Sequence, residues 1–222
     1  MKISIIIPTL NEADTIVNTL TPLQCWRQRG HQVILVDARS CDNTLEKAKP
    51  LTDVMLLSDK GRALQMNTGA EQAEGEILLF LHADTIIAEN ADQKILNALN
   101  NHAWGRFNVC FSSPAWIYKI IAWLMNRKSC LTSVATGDQA IFVKKKLFED
   151  VGRFPQQELM EDIELSIALR RHGRSVCLAD KVITSSRRWE AKGVIKTILL
   201  MWFLRAAYFF GMPSNKLKCW YH

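Results

Sequence analysis

Acidic residues at three places in this chain have the surroundings of working carboxylates. Asp84 closes the run ILLFLHADT, in which five apolar residues, Ile77 to Leu81, are followed by His82, Ala83, Asp84 and Thr85. An unbroken apolar run of that length predicts a strand buried on both faces. A carboxylate just beyond it belongs at the rim of the sheet, where open α/β folds hold their ligands. There it can hold a hard divalent cation that bridges to phosphate oxygens; equally, it can cap the next segment. Asp37 ends a second buried run, Val33 to Val36, and is followed by turn-forming residues among which Asp42 or Asn43 is a candidate helix cap. Glu161 and Asp162 form an adjacent pair at the start of a helical pattern, after Leu159 and Met160. Neighbouring carboxylates raise each other's proton affinity, which suits a general base, while the helix dipole pulls the other way. Acidic residues also stabilise first turns, so spacing alone leaves both roles open for this pair.

The elements that must carry these residues alternate. Ile3 to Ile7 is a β-branched strand ended by Pro8, and Pro8-Thr9-Leu10-Asn11-Glu12 is a polar loop. A helical pattern runs on to about Gln28, with Gly30 as its stop. After the Val33–Val36 strand come a short strand around Val54 to Leu57, the turn Lys60-Gly61-Arg62, a helix to about Ala73, and Gly75 before the ILLFL run. Strand–helix alternation at this spacing predicts an α/β fold with a parallel sheet, and places Asp37 and Asp84 on the same sheet edge. Arg187 and Arg188 follow a strand at Cys177 to Ile183, within reach of a diphosphate or simply solvated.

The 222 residues suffice for one elaborated domain, and their net charge of +6 is unevenly spread. Residues 1–100 carry 9 Lys+Arg against 13 Asp+Glu, net −4; residues 101–222 carry 19 against 9, net +10. A basic C-terminal half favours anionic partners such as diphosphates or acidic lipid. Nucleic acid is not expected, because no aromatic-interleaved basic run or zinc-finger spacing occurs. The six cysteines lack metal-ligand spacing, so reduced thiols in a cytoplasmic protein are expected. The first strand starts after two residues, which leaves no room for a signal peptide. Val194 to Phe210 is apolar over 17 residues apart from Lys196 and Arg205, below the ~20 residues a membrane span needs. Those two cations fall about 180° apart on a helix, so no single wide polar face results. Trp116 to Met125 is similarly apolar around Lys119. Both stretches either pack on the domain, on each other or across a homodimer, or lie peripherally on the anionic inner membrane.

PTLNE at 8–12, VDARSCD at 36–42, the Gly61…Asn67…Gly69 helix, GEILLFLHADT at 75–85 and MEDIELSIALRRHG at 160–173 occur in one order. Together they resemble the family-2 glycosyltransferases of the GT-A fold, over roughly residues 1–175. KGRALQMNTGA, HADT, WGRF, GDQAIF and SSRRW resemble a subgroup of small bacterial members associated with arsenosugar biosynthesis. The resemblance implies a Rossmann-like, mostly parallel GT-A sheet with flanking helices over residues 1–190, and an apolar helical extension over 191–222. It implies inverting transfer of a sugar from a nucleotide-diphosphate donor to a hydroxyl acceptor, small or lipid-linked. Mn²⁺ or Mg²⁺ would be held at Asp84, and the base would be Asp162, with Glu161 beside it. Donor contacts would come from Pro8, Thr9, Asn11, Glu12, Asp37, Lys60, Arg62, His82, Asp84, Arg187 and Arg188. The acceptor side would comprise Trp104, Arg106, Gly137, Asp138, Gln139 and Trp189. Three positions depart from the family pattern. Ala38 replaces an Asp that contacts the base, His82 replaces the first Asp of the usual DxD, and Ser185 replaces the Gln of the processive Gln-x-x-Arg-Trp motif. Two other activities fit parts of the chain. A sugar nucleotidyltransferase would need a Gly-rich, basic loop after the first strand, which PTLNE is not; a non-catalytic membrane-associated nucleotide-binding module would not need Asp84 and Asp162.

Overall fold

The computed structural model describes residues 1–221. Eight strands, β1 (Ile3–Thr9), β2 (Gln32–Asp37), β3 (Val54–Leu57), β4 (Ile77–Phe80), β5 (Thr85–Ile86), β6 (Trp104–Phe111), β7 (Phe142–Lys144) and β8 (Val176–Thr184), form one sheet in the order β3-β2-β1-β4-β7-β6-β8-β5. Side chains alternate along each strand, so Ile3, Ile5 and Ile7 feed one core layer while Ile6 feeds the other. The helix Arg62–Glu71 covers the second face. It comes so close that a Cβ on Gly69 would lie 2.5 Å from Ile6 Cγ2, which explains the glycine within a helical pattern.

The expectation of a mostly parallel sheet holds for only half of it. β3, β2, β1 and β4 are mutually parallel, but β7 runs antiparallel to β4 and β6 runs antiparallel to β7. β8 lies parallel to β6, and β5 closes the edge antiparallel to β8. The reversal has a local cause. The chain enters β7 from the short 3-10 turn Gly137–Gln139, already at the sheet's rim, and so runs down where β4 runs up. Ile141 O accepts the Phe80 N–H at 2.9 Å and thereby fastens that turn beside the end of β4.

Two local expectations also change. The first helical pattern is two short helices, Ile16–Leu20 and Gln24–Gln28. Pro22 lies between them; its missing N–H and its ring are incompatible with an uninterrupted ladder. The apolar segment starting at Trp116 continues to Thr132 as one helix. The helix Val194–Phe209 buries Leu204, which packs with Leu159, Met160 and Leu217. Among the described residues no helix is long and apolar enough to cross a membrane. The cysteines stand as free thiols.

Candidate active site

At the rim of the sheet, beyond the ends of β1 and β4, a cavity of about 220 Å³ is lined by carboxylates from distant parts of the chain. Asp84 lies on the turn between β4 and β5, with its side chain 27 % exposed. Burial raises its pKa above the ordinary carboxylate range, and Asp138 and Glu12 add to this, against the opposing pull of His82 and Arg187. Arg187, the first residue of the helix Arg187–Lys192, donates to Glu12 Oε2 at 2.9 Å and lies 3.9 Å from Asp84 Oδ2. One guanidinium therefore joins the loop after β1, the turn after β4 and the end of β8.

Glu161 and Asp162 open the helix Glu161–Arg170. Met160 before them has φ 70 and ψ 17, a left-handed conformation that costs a residue with a Cβ. Its burial against Leu159, Leu204 and Leu217 holds it there. The two acids then separate in environment. Glu161 is 3 % exposed, with Arg62 Nη1 3.7 Å from its Oε1. Burial first, and the Asp162 charge second, push its carboxyl above the usual range, with Arg62 opposing. Asp162 borders the cavity and is held through both oxygens. Oδ2 accepts the Gly137 N–H and Oδ1 accepts the Ile163 N–H, each at 2.8 Å.

Gly137 is dictated by a close approach. A Cβ there would stand 2.4 Å from His82 Nε2. Enclosure works against ionisation of Asp138, but the His82 hydrogen bond and charge, then Arg62 and Arg188, outweigh it and hold the carboxyl below its ordinary range. A carboxylate can only accept, so His82 Nδ1 carries the proton it shares with Asp138 Oδ1 across 3.2 Å. Nε2 is buried with no hydrogen-bond partner among the described residues. His82 thus fastens Asp138.

Of the residues predicted from sequence, Pro8, Glu12, Arg62, His82 and Asp84 line this cavity from the donor side of the prediction. Gly137, Asp138, Glu161, Asp162, Arg188 and Trp189 line it as well. Arg187 reaches its rim through Glu12 and Asp84, and the remaining predicted residues lie elsewhere. Asp37 is fully buried; its oxygens accept from Thr9 Oγ1, Ser40 N and Ser40 Oγ, so it shapes the loop and is not part of the cavity wall. Thr9 is buried beside it. Asn11 is exposed and cross-ties the two loops by donating N–H to Ser40 Oγ at 2.8 Å and accepting Cys41 N–H at 2.9 Å. Lys60 is exposed on the turn before the Arg62–Glu71 helix and is not part of the cavity wall.

Trp104 and Arg106 are corrected outright. Both are fully buried on β6, an interior strand paired on either side. The Trp104 indole donates to Gly173 O at 2.9 Å, and Arg106 donates to Phe107 O at 3.1 Å and Asn126 O at 2.7 Å. Neither lines the cavity. Gln139 is also buried; its Oε1 accepts the Thr136 N–H and its amide donates to Asn126 Oδ1, so it braces the 136–139 turn.

Sequence reasoning missed the wall supplied by Thr197, Met201 and Arg205 of the helix Val194–Phe209. A lone arginine inside an apolar run was the available signal. These residues mean that a boundary at residue 190 would cut through the cavity. Among the described residues no three His, Cys, Asp or Glu side chains converge into a metal cage. Asp84 places one carboxylate there, with Glu12 and Asp138 close enough to raise its proton affinity.

The family profile described as Glycosyl transferase family 2 matches residues 4–145. Over 190 residues, 77 % of the chain is 25 % identical to 46 % of a poly-beta-1,6-N-acetyl-D-glucosamine synthase from Staphylococcus aureus. The Staphylococcus epidermidis synthase is 24 % identical over 183 residues, covering 74 % of the chain and 44 % of that protein. The chain thus spans about half the length of these curated relatives. Among solved structures, S. aureus TarS 1-349 with UDP-GlcNAc superposes with a TM-score of 0.68 at 20 % identity, covering 83 % of this chain and 58 % of that one. The mannosyltransferase PcManGT from Pyrobaculum calidifontis, in complex with GDP-Man and Mn²⁺, gives 0.63 at 22 % identity, covering 82 % and 56 %. At those identities the likeness is one of fold.

The raised pKa of Glu161 has a measurable consequence. A carboxyl whose folded pKa exceeds its unfolded value contributes stability that is full below the unfolded pKa of about 4.3 and is lost as pH climbs through the folded one. Glu161→Gln cannot ionise, so its stability is expected to decline less than the wild type's as pH rises from about 4. Urea unfolding of both proteins in steps from pH 4 to 8 measures this. Parallel stability curves would show that Glu161 is not under that strain.

Proposed function

The chain belongs to glycosyl transferase family 2, and on that premise we propose that it transfers a sugar from a nucleotide-diphosphate donor to an acceptor hydroxyl with inversion. The observation that carries the mechanism is that Asp84 and Asp162, from opposite halves of the sequence, border one cavity. The nucleoside would lie along the Pro8–Glu12 loop, whose shape is set by Asp37 and Asn11. The diphosphate would lie between Asp84 and the guanidinium groups of Arg62, Arg187 and Arg188. The acceptor oxygen attacks the anomeric carbon as the carbon–oxygen bond to the diphosphate breaks, and Asp162 takes the hydroxyl proton. The two hydrogen bonds on Asp162 fix its orientation before the acceptor arrives. The complexes of TarS with UDP-GlcNAc and PcManGT with GDP-Man support a nucleotide-sugar donor. Ser185 in place of Gln supports single transfer over processive synthesis. KGRALQMNTGA, WGRF and SSRRW support membership of the small bacterial subgroup associated with arsenosugar biosynthesis.

Mn²⁺ or Mg²⁺ fits this donor set as a cation bound through one carboxylate and the donor's own phosphates, a mode that needs no all-protein cage. Asp84 would hold it, and the neighbouring carboxylates Glu12 and Asp138 support that assignment. When bound, the cation neutralises the departing diphosphate.

A membrane face completes the proposal. Trp116, Trp123, Ile195, Leu199 and Trp202 are each more than half exposed. Lys119, Arg127, Lys128 and Lys196 stand exposed on the same two helices. Apolar side chains flanked by basic ones suit the anionic, cytoplasmic surface of the inner membrane, at about 1 kcal/mol per basic residue near the surface.

Asp84→Asn is expected to keep the fold but lose the Mn²⁺-dependent thermal shift given by the matching nucleotide sugar in a panel of donors. An undiminished shift would remove Asp84 as the ligand. For Asp162→Asn, turnover should fall by about 10²–10⁴ with donor binding nearly unchanged. Near wild-type turnover would transfer the role of base to another group. Co-sedimentation with vesicles should rise with anionic lipid and fall several-fold in the double variant Ile195→Ser, Leu199→Ser, whose sites are exposed; indifference to lipid charge at low salt would retire the membrane face.

A further inference from the structure

A second cavity, of about 310 Å³, adjoins the first and differs from it in character. It lies between the helices Trp116–Thr132 and Val194–Phe209, and its walls are largely apolar, including Ile121, Leu124, Met125, Ile198 and Trp202. Asp138, Trp189 and Arg205 border both cavities, so the apolar groove opens directly onto the carboxylates. Two cations, Lys128 and Arg205, stand in its wall. Arg205 Nε is buried with no hydrogen-bond partner. Among the described residues no ion pair engages either cation, whereas Asp138, the nearby acid, is already held by His82. Lys128 is exposed, yet partial desolvation beside the groove, and then the charge of Arg205, lower the pKa of its ammonium. Two like charges beside an apolar groove disfavour each other, and an anion placed between them would relieve that repulsion.

We propose that this groove is the acceptor subsite of the transferase, built for an anionic amphiphile whose hydrocarbon chain lies between the two helices and whose phosphate sits between Lys128 and Arg205. This rests on the transfer reading above and narrows its acceptor to a phosphate-bearing lipid with a free hydroxyl beyond the phosphate. The groups fit such a molecule: apolar walls and two cations line the groove, and Arg205 also lines the adjoining cavity that holds Asp162. A neutral acceptor would leave the cations uncompensated, and free phosphate would leave the apolar walls unfilled. The reacting step is unchanged: the lipid hydroxyl oxygen gains the sugar, its proton passes to Asp162, and the nucleoside diphosphate departs.

Decyl phosphate, 1-decanol and inorganic phosphate separate the contributions, with binding followed by the fluorescence of Trp189 and Trp202 on the groove wall. Decyl phosphate is expected to saturate and to bind at least about tenfold more tightly than either of the others. Lys128→Glu should weaken it by about tenfold or more, Lys128→Arg should retain it, and Leu124→Asn, at a half-exposed position, should weaken it without unfolding the protein. Equal binding of decanol, equal binding of inorganic phosphate, or a Lys128→Glu variant that binds decyl phosphate like the wild type would each overturn the proposal. No donor is present in these measurements. A failed donor response in the thermal-shift panel therefore counts against the transferase reading, and failed decyl phosphate binding counts against this one.

Discussion

Mutual repulsion among carboxylates is the constraint on which this structure depends. Glu12, Asp84, Asp138, Glu161 and Asp162 all line one cavity, and at close range in a poorly solvated site such charges disfavour one another strongly. Each is held by a compensating group brought from elsewhere in the chain. Arg187 answers Glu12 and Asp84, His82 answers Asp138, and Arg62 lies against Glu161. Asp162 accepts a backbone N–H at each of its oxygens.

Those compensations explain otherwise unfavourable local choices. Met160 accepts a left-handed backbone so that Glu161 turns inward while Asp162 borders the cavity. Gly137 gives up a side chain so that His82 can lie against it and its N–H can reach Asp162. The antiparallel insertion of β7 beside β4 delivers that glycine to the rim. Strain of this kind persists where surrounding packing over-determines it. Here the packing comes from Leu159, Leu204 and Leu217.

The C-terminal helices take part in that packing. Leu204 and Leu217 bury themselves against Met160, while Thr197, Met201 and Arg205 form part of the cavity wall. The same helix leaves Ile195, Leu199 and Trp202 exposed. One element can thus support the acidic pair on its inner side and present apolar surface on its outer side.

The sequence by itself determined the buried strands of the first half, because unbroken β-branched runs have few other uses. It also determined that Asp84 and the Glu161–Asp162 pair sit at element ends, since apolar runs stop and helical patterns begin at readable places. The fate of Trp104, Arg106 and Asp37 was decided only in three dimensions. A tryptophan or arginine in an alternating strand faces core or solvent according to which strands pair on either side, and β6 proved interior. Asp37 stands at a rim position, yet Thr9 and Ser40 consume its oxygens. The pairing of β4 with β7 was equally beyond local pattern, because a three-residue strand carries too little periodicity to announce its partner. The place of the Val194–Phe209 helix followed the same rule. An all-round apolar stretch specifies burial without specifying a direction, and only the surface offered by Leu159 and Met160 chose one.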